Sequence, residues 1–276
     1  MISILITGGT GSFGKAFTKK LLSDEHVQRI CILSRDEHKQ HDMRTALGEN
    51  ERMRYFVGCV RDRDRLRRAF EGIDIVIHAA ALKRIETGAY NPTEMVRTNV
   101  GGTINVIEAA HDANVKRVVY LSTDKAFQPI SAYGHSKAIS ESLILAANET
   151  SGSNGPTFAV TRYGNVAGSN GSVIPKWRSA KNPTMTDPEC TRFWMFMDQA
   201  TSMVYDVMLD FRLKDVVVPT LPAFRLGDLA TAMGIDPEIT GLNSFEKKHE
   251  SMDYGNCSDT ARRMSIDELQ DALQHV

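Results

Sequence analysis

An apolar run, Ile2–Thr7, passes without a break into Gly8-Gly9-Thr10-Gly11-Ser12-Phe13-Gly14, and a helical pattern over Ser12–Leu22 takes in the last of these glycines. Few local patterns restrict a chain more. Glycines three residues apart between a buried strand and a helix allow a tight turn at Gly8. They allow close approach of backbone N–H groups to a pyrophosphate at Gly11, and close helix–strand packing at Gly14. A glycine-rich turn alone is a weak signal, but its place after a first strand and before a helix points to a dinucleotide site. Thr10, Ser12 and Phe13 belong to the same expected cofactor-binding turn.

The pattern repeats along the first half of the chain. Arg29–Leu33, Met53–Val57, Ile73–His78 and Arg117–Leu121 are short runs rich in β-branched or aromatic residues, as in strands buried on both faces. Amphipathic stretches at Asp36–Leu47, Arg63–Glu71, Pro92–Ala113 and Ala132–Glu149 separate or follow them, with Pro92 suited to a first helical turn. A sixth strand is expected at Thr157–Arg162, after the loop Ser151–Pro156. This alternation predicts an α/β fold, a Rossmann-type doubly wound parallel sheet. Beyond it the texture changes. Helices are expected at Asp198–Phe211, Arg225–Met233 and Ser265–Leu273, and a short strand at Val216–Pro219. The expected division is 1–163 for the nucleotide and 164–276 for a smaller α/β substrate-binding domain, with some of its segments packing back on the first.

With 33 Lys+Arg against 34 Asp+Glu, the net charge is -1, which leaves no broad basic surface for nucleic acid or an anionic membrane. No run approaches the roughly 18 apolar residues of a membrane span. The N-terminus has neither a basic n-region nor a cleavage site of small residues. Cys31, Cys59, Cys190 and Cys257 are scattered and form no ligand pattern, as in a cytoplasmic enzyme with reduced thiols and no metal.

The end of the second strand bears on the cofactor. In NAD enzymes an acidic residue about 20 positions past the glycines bonds the ribose hydroxyls. Here that place holds Ser34 and then Arg35, a hydroxyl and a guanidinium suited to a 2′-phosphate, with Asp36 next. The expected cofactor is therefore NADP.

Tyr133-Gly134-His135-Ser136-Lys137 forms a YxxxK pair on one helix face, with the ammonium expected near the phenol. An adjacent cation lowers the cost of a phenolate, which makes Tyr133 a usable base toward an alcohol. Ten residues earlier, after the fifth strand, stands Ser122-Thr123-Asp124-Lys125. Ligand chemistry in open α/β sheets gathers at the carboxyl ends of strands, and this run supplies a hydroxyl, a carboxylate and an amine there. Ser, Thr and Asp also favour turns for local reasons, but the order of all three motifs leaves that explanation little room.

These motifs resemble the extended short-chain dehydrogenases/reductases, and within them the UDP-N-acetylglucosamine 4,6-dehydratases (inverting) of surface-sugar biosynthesis. The strings TGGTGSFG, LSRDEHKQ, HAAALKR, YNPTEMVRTNV, LSTDKAFQPISAYGHSK, TRYGNVAGSNGSVIP, TRFWMFMDQA and EKKHE carry the resemblance from residue 2 to about 252. It implies that Tyr133 deprotonates the sugar C4 hydroxyl, with Lys137 tuning the phenol and holding the nicotinamide ribose. It implies that Lys125 takes the C5 proton, Asp124 protonates the departing C6 hydroxyl, and Thr123 bonds the sugar near C4. NADP would accept the C4 hydride and return it to C6. Further cofactor contacts are expected from Ala79, Ala80 and Asp62. Substrate contacts are expected from Lys83, Asn165, Ser172, Val173, Pro175 and Glu246. The partner would be a UDP-sugar, UDP-N-acetylglucosamine first, in a homo-oligomer (dimer or hexamer).

The chain departs from the family pattern at Cys59, where an adenine-contacting Asp is usual. It also departs at Asn170 and Asn243, which replace arginines that could neutralise a diphosphate; Arg192 or Arg225 are the candidates to compensate. His78 reads as a packed residue, Trp194 and Phe196 as core or pocket wall, and His249-Glu250 as a surface pair with no metal. An NADP-dependent UDP-sugar epimerase is the alternative enzyme, and a nucleotide-sensing protein without catalysis is the alternative of another class.

Overall fold

After Ile2, every residue of the first strand is buried, and the reason is its position. In the computed structural model, which describes residues 1–276, β1 (Ile2–Thr7) lies between β2 (Val27–Ser34) and β4 (Ile75–His78), parallel to both. The sheet continues outward through β3 (Met53–Val57) on one side, and through β5 (Arg117–Leu121) and β6 (Thr157–Thr161) on the other. Its order, 3-2-1-4-5-6, is that of a dinucleotide-binding sheet. A seventh parallel strand, Val216–Val217, pairs with β6.

Because side chains alternate along a strand, both faces of such a sheet must be apolar. Ile4, Ile6, Ile32, Ile77 and Val119 face one core with Phe17 and Leu21 of the Ser12–Leu22 helix. Leu5, Leu33, Val76, Val118 and Phe158 face the other, with Leu66, Phe70, Val106 and Ile144.

Late segments pack against the sheet. The Met197–Leu209 helix places Ala200, Val204 and Met208 in the first core. Its last carbonyls are met by Arg117, a guanidinium buried in β5 that donates to Val207 O at 2.8 Å and Asp210 O at 3.0 Å. A positive charge at a helix C-terminus is favourable, which offsets the burial of this arginine. A third core, including Ile174, Trp177, Trp194, Phe224, Leu229 and Leu269, draws its buried residues wholly from Ile174 onward.

The stretch expected as one helix from Pro92 to Ala113 is helical but not uniform. A wide π turn at Arg97–Gly101 joins Pro92–Val96 to Gly102–Asp112. Helices at Ile85–Tyr90 and Val173–Ser179 carry too few turns for a periodic signal.

Candidate active site

The carboxyl ends of β1, β2, β4 and β5 open into one cleft of about 1000 Å³. Gly8 has φ +67°, and a Cβ there would lie 2.8 Å from the Ala80 backbone; at Gly14 one would lie 2.3 Å from Gly9 O. These two glycines are required by packing alone. Gly11 is different: an added Cβ would meet only Gly8 O at 3.3 Å, and the residue lines the cleft. It caps the first helix without any side-chain bond, leaving the leading N–H groups directed at the opening. Such a cradle suits a pyrophosphate. Thr10, Ser12, Phe13, Ala79 and Ala80 line the same end. Ser12 Oγ also accepts the Asn170 N–H at 3.0 Å, joining this turn to the later loop.

Ser34, Arg35, Asp36 and Lys39 all border the cleft. Asp36 is occupied as the cap of the Glu37–Leu47 helix: it accepts the Lys39 N–H and pairs with the Lys39 ammonium at 3.4 Å. Cys59 lines the cleft as well. Asp62 does not, because its carboxylate caps the Arg63–Phe70 helix by accepting the Arg65 N–H at 2.9 Å.

At the end of β5 the chain makes a short turn, Asp124–Ala126, that stacks against the start of the Ala132–Thr150 helix. Gly134 permits this approach, since a Cβ there would sit 2.3 Å from Lys125 O. Thr123, Lys125, Tyr133 and Lys137 converge on the cleft. Asp124 lies just behind them, fully buried. Its Oδ1 accepts from Thr123 Oγ1 at 2.9 Å and from Lys125 Nζ at 3.1 Å, while Oδ2 has no partner. Ser122 Oγ and Ser172 Oγ are likewise buried without partners. Buried polar atoms left without a protein partner call for a ligand or solvent to satisfy them.

Burial pushes the Tyr133 phenol up to about 12, against the pull of the Lys125 ammonium and the Thr123 hydroxyl. The helix pairing of Tyr133 with Lys137 takes an unexpected form. Lys137 Nζ donates to Leu121 O at 2.5 Å and lies 4.0 Å from the centroid of the Tyr120 ring. The cation acting on Tyr133 is therefore Lys125, because the buried Lys137 ammonium turns to the nearest strand-end carbonyl and aromatic face. Burial lowers Lys137 to about 7, opposed by Glu141.

Lys83, Asn165, Ser172, Val173, Arg192 and Glu246 line the far part of the cleft. Arg192 is 5% exposed and pairs with Glu246 at 2.7 Å. Pro175 and Arg225 do not line it. Arg225 is exposed and faces Glu189 at 3.7 Å, at the end of a short strand whose Ala223 and Phe224 are buried in two different cores. Further cations that line the cleft, none of them expected there, are Lys15, Arg84 and Lys176.

Two further residues escaped sequence reasoning. Asn99, buried in the wide turn, donates to Leu82 O and Ser136 Oγ at 2.9 Å each and accepts the Leu82 N–H at 2.8 Å, tying the Lys83 loop to the YGHSK helix. Its place in a π turn inside an otherwise regular helical pattern left no periodic trace. Glu250, expected at the surface, is 1% exposed and pairs with Lys125 at 3.1 Å. The strand Ser251–Asp253 carries it against the turn after β5. His78 is packed, bonded to Thr7 and Thr103, and burial lowers it to about 3, so it is neutral. Trp194 is core. No helix is long and apolar enough to cross a membrane.

The model of a family described as polysaccharide biosynthesis protein matches residues 4–268. The chain is 42% identical over 257 residues to UDP-N-acetylglucosamine 4,6-dehydratase (inverting) of Campylobacter jejuni, covering 91% of this chain and 77% of that protein. It is 40% identical over 263 residues to a UDP-glucose 4-epimerase of Rickettsia felis, with the same shares covered. Among solved structures, Pen from Bacillus thuringiensis is similar at a TM-score of 0.94 and 32% identity, over 100% of this chain and 98% of that one.

Proposed function

The chain belongs to the polysaccharide biosynthesis protein family of extended short-chain dehydrogenases/reductases, and from that footing we propose that it is a C5-inverting UDP-N-acetylglucosamine 4,6-dehydratase. The observation that carries this reading is the Asp124–Lys125 pair beside Tyr133, with a free, buried carboxylate oxygen on Asp124. An epimerase needs only a base at C4. An acid and a second base adjoining it are what loss of water across C5 and C6 requires.

The glycine turn, Ser34 and Arg35 would hold a nicotinamide dinucleotide, which when bound supplies a hydride acceptor for C4 and a hydride donor for C6. Tyr133 takes the C4 hydroxyl proton while Thr123 orients that hydroxyl. The ketone so formed acidifies C5–H. Lys125 removes that proton, and Asp124 protonates the C6 oxygen as it leaves. Residues 164–276 supply most of the UDP-sugar side, and Lys83 and Arg84 from the first part of the chain, with Lys176, stand in for the cations lost at Asn170 and Asn243. The product is a UDP-4-keto-6-deoxy-N-acetylhexosamine. The working assembly in this reading is a homo-oligomer acting in the cytoplasm.

Deuterium at C4 of UDP-N-acetylglucosamine is expected in the C6 methyl group of the product without added reductant, and C5 is expected to gain label in deuterated water. NMR of the product decides this. Label returned to C4, with C5 unlabelled and the 6-hydroxyl retained, would instead mark the 4-epimerase that the second relative's name suggests.

NADP is the proposed form of the cofactor, because Arg35 and Lys39 flank the place of a 2′-phosphate and the Asp36 carboxylate is engaged as a helix cap. Arg35→Ala should weaken NADP binding roughly 10- to 100-fold, the worth of a charged hydrogen bond, and leave NAD binding nearly unchanged. Titration calorimetry with both dinucleotides measures it. Equal losses would remove Arg35 from the recognition of the phosphate.

A further inference from the structure

Glu250 lies far from the acid–base pair in sequence and takes no part in the steps above, yet its surroundings are unusual for a carboxylate. It is 1% exposed. Its backbone is held on both sides by Ser258: the Glu250 N–H donates to Ser258 Oγ at 2.9 Å, and the Ser258 N–H donates to Glu250 O at 2.7 Å. Its side chain places Oε1 3.1 Å from Lys125 Nζ, the same separation as that between Nζ and Asp124 Oδ1. Lys125 therefore lies between two buried carboxylates. Lys247 stands 3.6 Å from Glu250 Oε2. Arg192, paired with Glu246, bears on the cluster from the facing strand, and Tyr133 does so from the helix.

We propose that Glu250 is the positioning residue of an Asp124–Lys125–Glu250 triad, fixing the Lys125 amine and stabilising the ammonium that forms when it takes the C5 proton. This rests on the dehydratase reading for the identity of the proton, though not for the arrangement of charges. In the resting protein Lys125 is an ammonium. Burial alone would favour the amine, but the Asp124 and Glu250 carboxylates outweigh it and hold its pKa above the ordinary lysine value.

Shifting one proton from Nζ to Asp124 gives a carboxylic acid and a free amine with no change in net charge. The amine then takes the C5 proton. The C5–H electron pair becomes the C5–C6 double bond, the C6–O bond breaks, and the oxygen leaves as water with the Asp124 proton. Lys125 ends as ammonium and Asp124 as carboxylate, as they began. Glu250 keeps its charge throughout. It thereby acts as the aspartate does beside the histidine of a hydrolase triad, orienting the base and stabilising its protonated form.

Glu250→Gln keeps the shape and the Ser258 contacts while removing the charge. We expect C4 oxidation, read as cofactor reduction in a single turnover, to stay within about threefold. We expect C5 solvent exchange and water loss to fall roughly 10- to 100-fold, with Glu250→Asp recovering part of the loss. Retained C4 oxidation also reports a folded site. A second readout needs no turnover: 15N NMR of the Lys125 ammonium, identified by its disappearance in Lys125→Arg. At a pH near 10.4, where an ordinary lysine is half titrated, Lys125 should remain charged in the wild type and lose charge in Glu250→Gln. Equal slowing of oxidation and of C5 exchange, or identical Lys125 titration in both proteins, would overturn the triad. A wild type that turns UDP-N-acetylglucosamine into no dehydrated product would overturn the dehydratase reading instead, and the titration would still decide whether Glu250 holds Lys125.

Discussion

Tyr133→Phe is expected to lower turnover of UDP-N-acetylglucosamine by about 10²- to 10⁴-fold, the usual worth of a positioned general base. The substitution removes one oxygen and leaves the ring, so the packing at the start of the Ala132–Thr150 helix survives. What is lost is the only tyrosine oxygen beside both Thr123 and Lys125. No other step can precede C4 oxidation, because C5–H is not acidic until C4 is a ketone. Mixing the variant with NADP and substrate should accordingly give no absorbance of reduced nicotinamide, even as a transient. The wild-type rate should rise with pH through the neutral range: burial holds the phenol up at about 12, and the fraction present as phenolate grows as protons are withdrawn. A variant that still reduces the cofactor at near wild-type rate would mean that another group takes the C4 proton.

Asp124→Asn should fail at a different step. The carboxylate is buried, its Oδ1 is held by Thr123 and Lys125, and its Oδ2 is free in a space kept open by Gly164, where a Cβ would lie 3.1 Å away. An amide fits the same volume but is a poor proton donor, so the C6 oxygen would have to leave as hydroxide. Loss of water should slow by about 10²- to 10⁴-fold while C4 oxidation stays close to wild type. The reduced cofactor should then accumulate, visible by absorbance, with no 4-keto-6-deoxy sugar by NMR. The contrast between the two variants is the informative result. If both retained wild-type turnover, the roles given to Tyr133 and Asp124 would be wrong.

Much of the site is legible in the sequence because its parts are close along the chain. Gly8 to Gly14 span one strand-to-helix turn, and Thr123 to Lys137 span one strand end and the helix after it. Where two residues share such a unit, the geometry of the unit fixes their separation. Sequence spacing says less wherever a side chain has alternative partners within its unit. Helix spacing placed Tyr133 and Lys137 on one face, but only the carbonyl of Leu121 and the Tyr120 ring explain why the ammonium turns away from the phenol. Asp62 followed a cofactor-like string and proved to be a helix cap.

By itself, the sequence determined the parallel sheet, the glycine cradle and the Asp124–Lys125–Tyr133 grouping. Unbroken apolar runs, turn sterics and nearest-neighbour spacing are local properties of a chain, and local properties survive reading in one dimension. Tertiary structure alone decided that Glu250 is a buried partner of Lys125 rather than a surface charge, that Arg192 enters the cleft and Arg225 does not, and that Asn99 joins the Lys83 loop to the YGHSK helix. Each of these depends on which face a two- or three-residue strand or a single wide turn presents to a distant segment. Elements that short have no periodicity to read, and the charge of a side chain does not say whether an opposite charge awaits it across the fold.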